Sequence, residues 1–112
     1  MARKVILDVD TGSDDAVAIL AAVLSPDIDL VALCTVWGNK DIDKTTQNTL
    51  DLVSALGADI PVYKGCDTAM VKYLAEDYVP AIRRKPVIKD GKVVEMHSDS
   101  LGLKKSDRSE ED

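Results

Sequence analysis

The chain has 112 residues, 46% of them apolar, and a formal net charge of -6 from 14 basic and 20 acidic residues. This length and composition predict one folded domain and exclude wholesale disorder. The acidic balance argues against a surface for nucleic acid or anionic membranes. Two cysteines cannot form a disulfide framework, and no stretch has the length of a signal peptide or a membrane span, so we expect a cytoplasmic protein.

The first two predicted elements carry apolar residues on more than one face. Val5–Val9 is predicted to form a strand that is apolar on both faces, which indicates burial. After a turn at Gly12, either Ser13 or Asp14 can cap the next helix. The run Ala16–Leu24 predicts a buried helix, since it is too short to cross a membrane.

The alternation of strand and helix then repeats. Leu30–Val36 is a second buried strand, Asp43–Leu56 a second helix with Gly57 at its C-cap, and Ile60–Tyr63 a short third strand. This order is typical of right-handed βαβ units. The predicted fold is therefore α/β, an open and mostly parallel Rossmann-like sheet.

Downstream of the third strand the regular pattern ends. We divide the chain into a βαβαβ core at 1–68, an irregular segment at 69–103, and a polar tail at 104–112 that is expected to fray. Within the irregular segment, Asp90 and Gly91 separate two apolar pairs and predict a β-hairpin over Val87–Val94.

The predicted sheet is too thin for its own strands. Three parallel strands and two helices cannot cover strands that are apolar on both faces. Either another chain completes the layer, which makes a homo-oligomer the expectation, or the sequence is a fragment of a larger fold.

Four aspartates crowd the end of the first strand, at Asp8, Asp10, Asp14 and Asp15. Their repulsion must be offset by a cation, by raised pKa values, or by the positive end of a helix. Capping explains one or two of these acids but not the pair at the strand's end. Asn39 follows the second strand at the same edge of the sheet, so the pattern predicts a site for a hard cation, Ca²⁺ or Mg²⁺, and Ca²⁺ better tolerates many carboxylates.

Two motifs stand at matching spacing, Asp8-Val9-Asp10-Thr11-Gly12-Ser13-Asp14-Asp15-Ala16 and Thr35-Val36-Trp37-Gly38-Asn39. Together they resemble the nucleoside hydrolases, the inosine-uridine preferring and related N-ribohydrolases. The resemblance extends from residue 4 to about residue 68 and covers the second strand's Gly-Asn turn and the Lys-Gly end of the third strand.

The resemblance implies a role for each acidic residue. Asp10 would bind Ca²⁺ and act as the general base toward water, and Asp15 would be a second Ca²⁺ ligand. Asp14 and Asn39 would hold the ribose hydroxyls and the water, with Asp8 behind them orienting the site. The implied reaction is Ca²⁺-dependent hydrolysis of the N-glycosidic bond of ribonucleosides to ribose and free base, a step of purine and pyrimidine salvage.

His97 is the only histidine of the chain. His97–Gly102 is similar to a His-Gly loop near the substrate in the family, although Ser98 and Ser100 stand where glycines are usual. We interpret His97 as a surface loop residue, with a catalytic role as the alternative.

Members of the family are much longer, and their remaining ligands and leaving-group acid come from segments beyond residue 112. The chain is therefore predicted to carry half of a site and to be inactive alone. Two other classes remain open: a haloacid-dehalogenase-like Mg²⁺-dependent phosphatase, and a non-catalytic interaction fragment.

Overall fold

The structure is a computed structural model, and it describes residues 1–69, 87–94 and 100–111. These residues form a parallel sheet of three strands, two helices and a separate two-stranded hairpin. The elements are β1 (Arg3–Val9), α1 (Ser13–Leu24), β2 (Ile28–Thr35), α2 (Ile42–Ala55), β3 (Val62–Lys64), β4 (Val87–Lys89) and β5 (Lys92–Val94). The predicted α/β fold is confirmed.

The parallel sheet has the order β1-β2-β3, so β2 lies at its centre. Two right-handed crossovers in the same direction place α1 and α2 on one face of the sheet. The fully buried side chains that close this layer come from both helices and two strands: Ile19, Leu33, Val53 and Val62. The core therefore lies between this face of the sheet and the helices.

Burial is one-sided in this chain. Ile6 of β1 is 62% exposed, and Val17 and Leu24 of α1 are 65% and 70% exposed. The predictions that β1 and α1 are buried all round are wrong here, because the described residues cover only one face of each element. The apolar surface left over agrees with the prediction of an incomplete sheet.

The two helices begin in different ways. The Asp41 side chain caps α2 by accepting a hydrogen bond from the Lys44 backbone N–H across 3.0 Å. The N-cap of α1 is Gly12, which makes no side-chain cap bond, so the predicted cap at Ser13 or Asp14 is wrong. Because both residues lie inside the first turn, the Asp14 carboxylate complements the helix dipole and does not cap the helix.

The predicted end of α2 is confirmed. Gly57 has a φ of +63°, and its N–H donates to the Ser54 carbonyl across 3.1 Å. The Ala58 N–H donates to the Val53 carbonyl across 3.0 Å. These two bonds make a Schellman motif, whose left-handed residue favours glycine.

The hairpin is confirmed as well. β4 and β5 pair antiparallel, and the turn between them has positive φ at Asp90 (54°) and Gly91 (75°), as a type I′ turn requires.

His97 lies outside the described residues. No described helix is long and apolar enough to cross a membrane.

The described tail is anchored to the core, contrary to the expectation that it frays. The Ser106 N–H donates to Asp51 Oδ1 across 2.7 Å. The Arg108 guanidinium donates to the carbonyls of Ala58 (3.2 Å) and Ile60 (2.9 Å). These bonds fix residues 106–108 against the end of α2 and the loop before β3. Composition alone did not reveal partners so distant in the sequence.

Candidate functional site

The candidate site lies at the carboxyl ends of β1 and β2, where the loops that follow these two strands lie side by side. Val9 and Thr35 are paired in the register, so Asp10 and the loop after β2 are neighbours. The Asn39 backbone N–H donates to Asp10 Oδ2 across 3.1 Å. A β-carbon added at Gly38 would overlap that same oxygen, so glycine is what allows the Asp10 carboxylate to lie against this loop.

The Asp10 and Asp15 carboxyl groups lie together. The Asp10 backbone N–H donates to Asp15 Oδ2 across 2.9 Å, which ties the end of β1 to the first turn of α1. Partial burial raises the pKa of Asp15, and a hydrogen bond with the Asp10 carboxyl group and the negative charges of Asp10 and Asp14 raise it further. Asp15 therefore holds its proton more readily than a free carboxyl group does, and a cation at this position would favour its ionisation.

The other predicted site residues are placed around this pair. Asp14 is exposed in the first turn of α1, and its charge reaches Asp15. Asn39 is half-buried and reaches Asp10 through its backbone. Asp8 is exposed on the sheet face opposite to Val9, level with Cys34 of β2. The structure thus brings Asp10, Asp15 and Asn39 together, whereas Asp8 lies one residue before the end of β1.

The site supplies some, but not all, of the oxygen ligands that a hard cation needs. The adjacent carboxylates of Asp10 and Asp15 are suitable oxygen ligands for Ca²⁺, which takes about six to eight oxygens in proteins. Within residues 1–69, 87–94 and 100–111, no group of three or more acidic, histidine or cysteine side chains converges on one point. Asp10 and Asp15 could hold an ion only together with oxygens from substrate, water or other protein segments.

Behind the site, α2 holds the turn that follows Asp10. The Thr11 side chain is fully buried, and its hydroxyl lies 2.7 Å from the Thr49 hydroxyl. The Asn48 amide, 2% exposed, donates to the Thr11 carbonyl across 3.1 Å. Sequence reasoning missed these residues. The available signal was a cluster of polar residues on the inner face of α2, namely Thr45, Thr46, Asn48 and Thr49.

The same helix also holds the loop that follows β2. The Thr45 hydroxyl donates to the Val36 carbonyl across 3.0 Å, and the Thr46 hydroxyl lies 2.7 Å from that of Thr35. On the other side of this loop, the Gly65 N–H donates to the Thr35 carbonyl across 2.8 Å. Both loops that carry the site are therefore fixed from behind by buried hydrogen bonds.

The chain is similar to nucleoside hydrolases in sequence and in structure. A sequence model of the family described as inosine-uridine preferring nucleoside hydrolase matches residues 5–100. The non-specific ribonucleoside hydrolase RihC of Klebsiella pneumoniae is 42% identical over 76 residues, which are 68% of this chain and 25% of that protein. The chain thus spans about a quarter of the length of this relative.

Two solved structures are similar over nearly the whole chain. An inosine-guanosine nucleoside hydrolase has a TM-score of 0.69 at 31% identity, over 96% of this chain and 29% of its own. A purine-preferring ribonucleoside hydrolase from Gardnerella vaginalis has a TM-score of 0.71 at 25% identity, over 98% and 33% respectively. These similarities do not favour the phosphatase or the interaction-fragment interpretation.

Proposed function

Because the chain belongs to the inosine-uridine preferring nucleoside hydrolase family, we propose that it supplies part of a site that hydrolyses the N-glycosidic bond of ribonucleosides. The observation that carries this proposal is the cluster at the carboxyl edge of the sheet. There the Asp10 carboxylate accepts a hydrogen bond from the Asn39 N–H and lies beside Asp15. The products would be ribose and the free base.

In this proposal Asp10 is the general base. Its Oδ2 is oriented by the Asn39 N–H across 3.1 Å, so the carboxylate has a fixed direction from which to take a proton from water. The transition state for cleaving an N-glycosidic bond resembles an oxocarbenium ion, and neighbouring carboxylates stabilise that positive charge. Asp14 and Asn39 would bind the ribose hydroxyls, and Asp8 would orient the site from behind.

We also propose that the site uses Ca²⁺. Asp10 and Asp15 would contribute two of its ligands, and the raised pKa of Asp15 supports the presence of a cation when both carboxylates are ionised. When bound, such an ion would lower the pKa of its water and hold vicinal hydroxyls. The remaining ligands lie outside this chain in the proposal, so the 112-residue chain is expected to be inactive or nearly so alone.

The setting that we propose is salvage of purine and pyrimidine nucleosides in the cytoplasm, by an enzyme that forms homo-oligomers. The names of the relatives support ribonucleosides as substrates. The exposed apolar residues of β1 and α1 support association with further protein.

A chimera tests the proposed function. Residues of this chain would replace the matched quarter of the Klebsiella relative, and hydrolysis of inosine and uridine would be measured by release of base. We expect turnover within about tenfold of the parent, and a loss of about a thousandfold or more in the same chimera carrying Asp10→Ala. A folded chimera without activity, or one whose activity survives Asp10→Ala, would contradict the proposal.

A further inference from the structure

We infer that α2 positions both loops of the site, and that Asn48 and Thr49 are positioning residues for Asp10. The inference rests on the proposed function for the role of Asp10 itself. What it adds is the physical means by which this carboxylate is held in place: buried side chains of α2 that are bonded to the residue after Asp10.

The backbone of the turn at Thr11 is bonded directly to α2. This residue separates Asp10 from Gly12, and its side chain is 0% exposed. Its carbonyl accepts a hydrogen bond from the Asn48 amide across 3.1 Å. A buried carbonyl without a partner loses the hydrogen bond that water would give it, so Asn48 selects the orientation of this peptide group in which the carbonyl keeps a donor.

The Thr11 side chain is bonded to α2 as well, through its hydroxyl group. The Thr49 hydroxyl donates its single proton to the Thr45 carbonyl across 2.8 Å. Either hydroxyl can donate in the 2.7 Å bond between Thr49 and Thr11, and Thr11 is the donor whenever Thr49 donates to Thr45. Thr11 is therefore held at two points, through its carbonyl by Asn48 and through its hydroxyl by Thr49.

The same helix also supports the loop that follows β2. One turn earlier on α2, the Thr45 hydroxyl donates to the Val36 carbonyl across 3.0 Å. Val36 precedes Trp37 and Gly38, and the next residue, Asn39, donates its N–H to Asp10 Oδ2. Successive turns of one helix thus set the distance between the loop that carries Asp10 and the loop that orients it. An apolar helix face would bury the same area without fixing either loop.

The test compares local opening with global unfolding in the metal-free chain. The Asp10 and Asn39 amide hydrogens report on the site directly, since each is bonded to one of its carboxylates. Native-state hydrogen exchange measured by NMR gives the protection of each amide, and chemical denaturation gives the global free energy of unfolding. The variants are Asn48→Leu and Thr49→Val, each close in size to the residue that it replaces.

Two control variants accompany them. Thr49→Ser keeps the hydroxyl and should restore what Thr49→Val loses. Gln47→Ala removes the 2.7 Å bond between Gln47 and Asp51 on the same helix and leaves both site loops untouched. If Asn48→Leu fails to fold, the Thr49 pair still decides the question, since it removes only one hydroxyl.

The positioning role predicts that protection of the Asp10 and Asn39 amides falls at least about tenfold beyond the global loss in Thr49→Val and Asn48→Leu. Thr49→Ser and Gln47→Ala should leave it within about twofold of that loss. Protection that falls only in step with global stability would overturn the inference, as would unprotected Asp10 and Asn39 amides in the unmutated chain. Ca²⁺ titration of the same variants tests the proposed function separately, because the amides decide the positioning role whether or not the metal binds.

Discussion

At the scale of single residues, the shared environment of Asp10 and Asp15 has a consequence for stability. Burial and the neighbouring carboxyl group raise the pKa of Asp15 above its ordinary value of 3.8. The folded chain therefore binds this proton more tightly than the unfolded chain does. The stability that this proton contributes is fully present below pH 3.8 and is lost as the pH rises through the raised value.

Asp15→Asn should accordingly stabilise the metal-free chain at pH 7. Its amide oxygen can still accept the Asp10 N–H, and the repulsion is gone. We expect a gain of up to about 1 kcal/mol, small because the pair is partly solvated. Denaturation in EDTA between pH 3 and pH 8 measures this gain, which should vanish at the acid end. Asp59→Asn removes the same charge from an exposed position outside the cluster and serves as the control. An equal gain in both variants, or a gain that persists in acid, would contradict the account.

Gly38 is the second residue with a defined requirement. A methyl group there would overlap Asp10 Oδ2 and would also lie 2.9 Å from Cγ and 3.0 Å from Cβ, so rotation of the Asp10 side chain relieves only part of the overlap. Gly38→Ala should therefore cost about 1–3 kcal/mol of stability while displacing the carboxylate from the Asn39 N–H. NMR of the Asn39 amide measures this displacement, and an unchanged amide shift would show that the approach of Gly38 to Asp10 is not needed.

At this scale the sequence predicted that acids gather at the end of β1, but it did not predict the side chains that support them. A carboxylate at a strand's end has a chemical meaning that can be recognised without a structure. The bonds of Asn48 and Thr49 to Thr11 span 37 and 38 residues of sequence, so only the packing of α2 reveals them.

At the scale of elements, the ends of α2 follow from local chemistry. Gly57→Ala places a β-carbon in the left-handed region, at a φ of +63°, and should cost about 1 kcal/mol. Gly57→Asn, which tolerates this conformation better, should cost about half as much. Urea denaturation of both variants gives the comparison, and equal stability of Gly57→Ala and the unmutated chain would contradict the Schellman assignment.

The element boundaries also show which structural properties can be predicted from apolar sequence patterns. Apolar runs located every strand and helix of the core, because burial of at least one face is common to all of them. The runs did not reveal how many faces are covered, since that depends on neighbours that the pattern does not encode. The anchored tail was missed for the same reason, because polar composition does not exclude specific hydrogen bonds such as those of Arg108.

At the scale of the whole molecule, the exposed apolar residues are the main feature to test. Val17 and Leu24 lie on α1 at 65% and 70% exposure, two turns apart on one side of the helix. We expect the pure chain to self-associate through this surface, and the double variant Val17→Glu/Leu24→Glu to be more monomeric. Sedimentation equilibrium over a range of concentrations measures this. Identical behaviour of the two proteins would place any association elsewhere.

We propose that Asp10, Asp15 and the Gly38–Asn39 loop form part of a site that binds Ca²⁺ and ribose. The most direct test is calorimetric titration of the pure chain with Ca²⁺, with and without ribose, beside Asp10→Ala. The account predicts weak Ca²⁺ binding that ribose strengthens and that falls at least about tenfold in Asp10→Ala. No Ca²⁺ binding by the unmutated chain, or equal binding by Asp10→Ala, would contradict it.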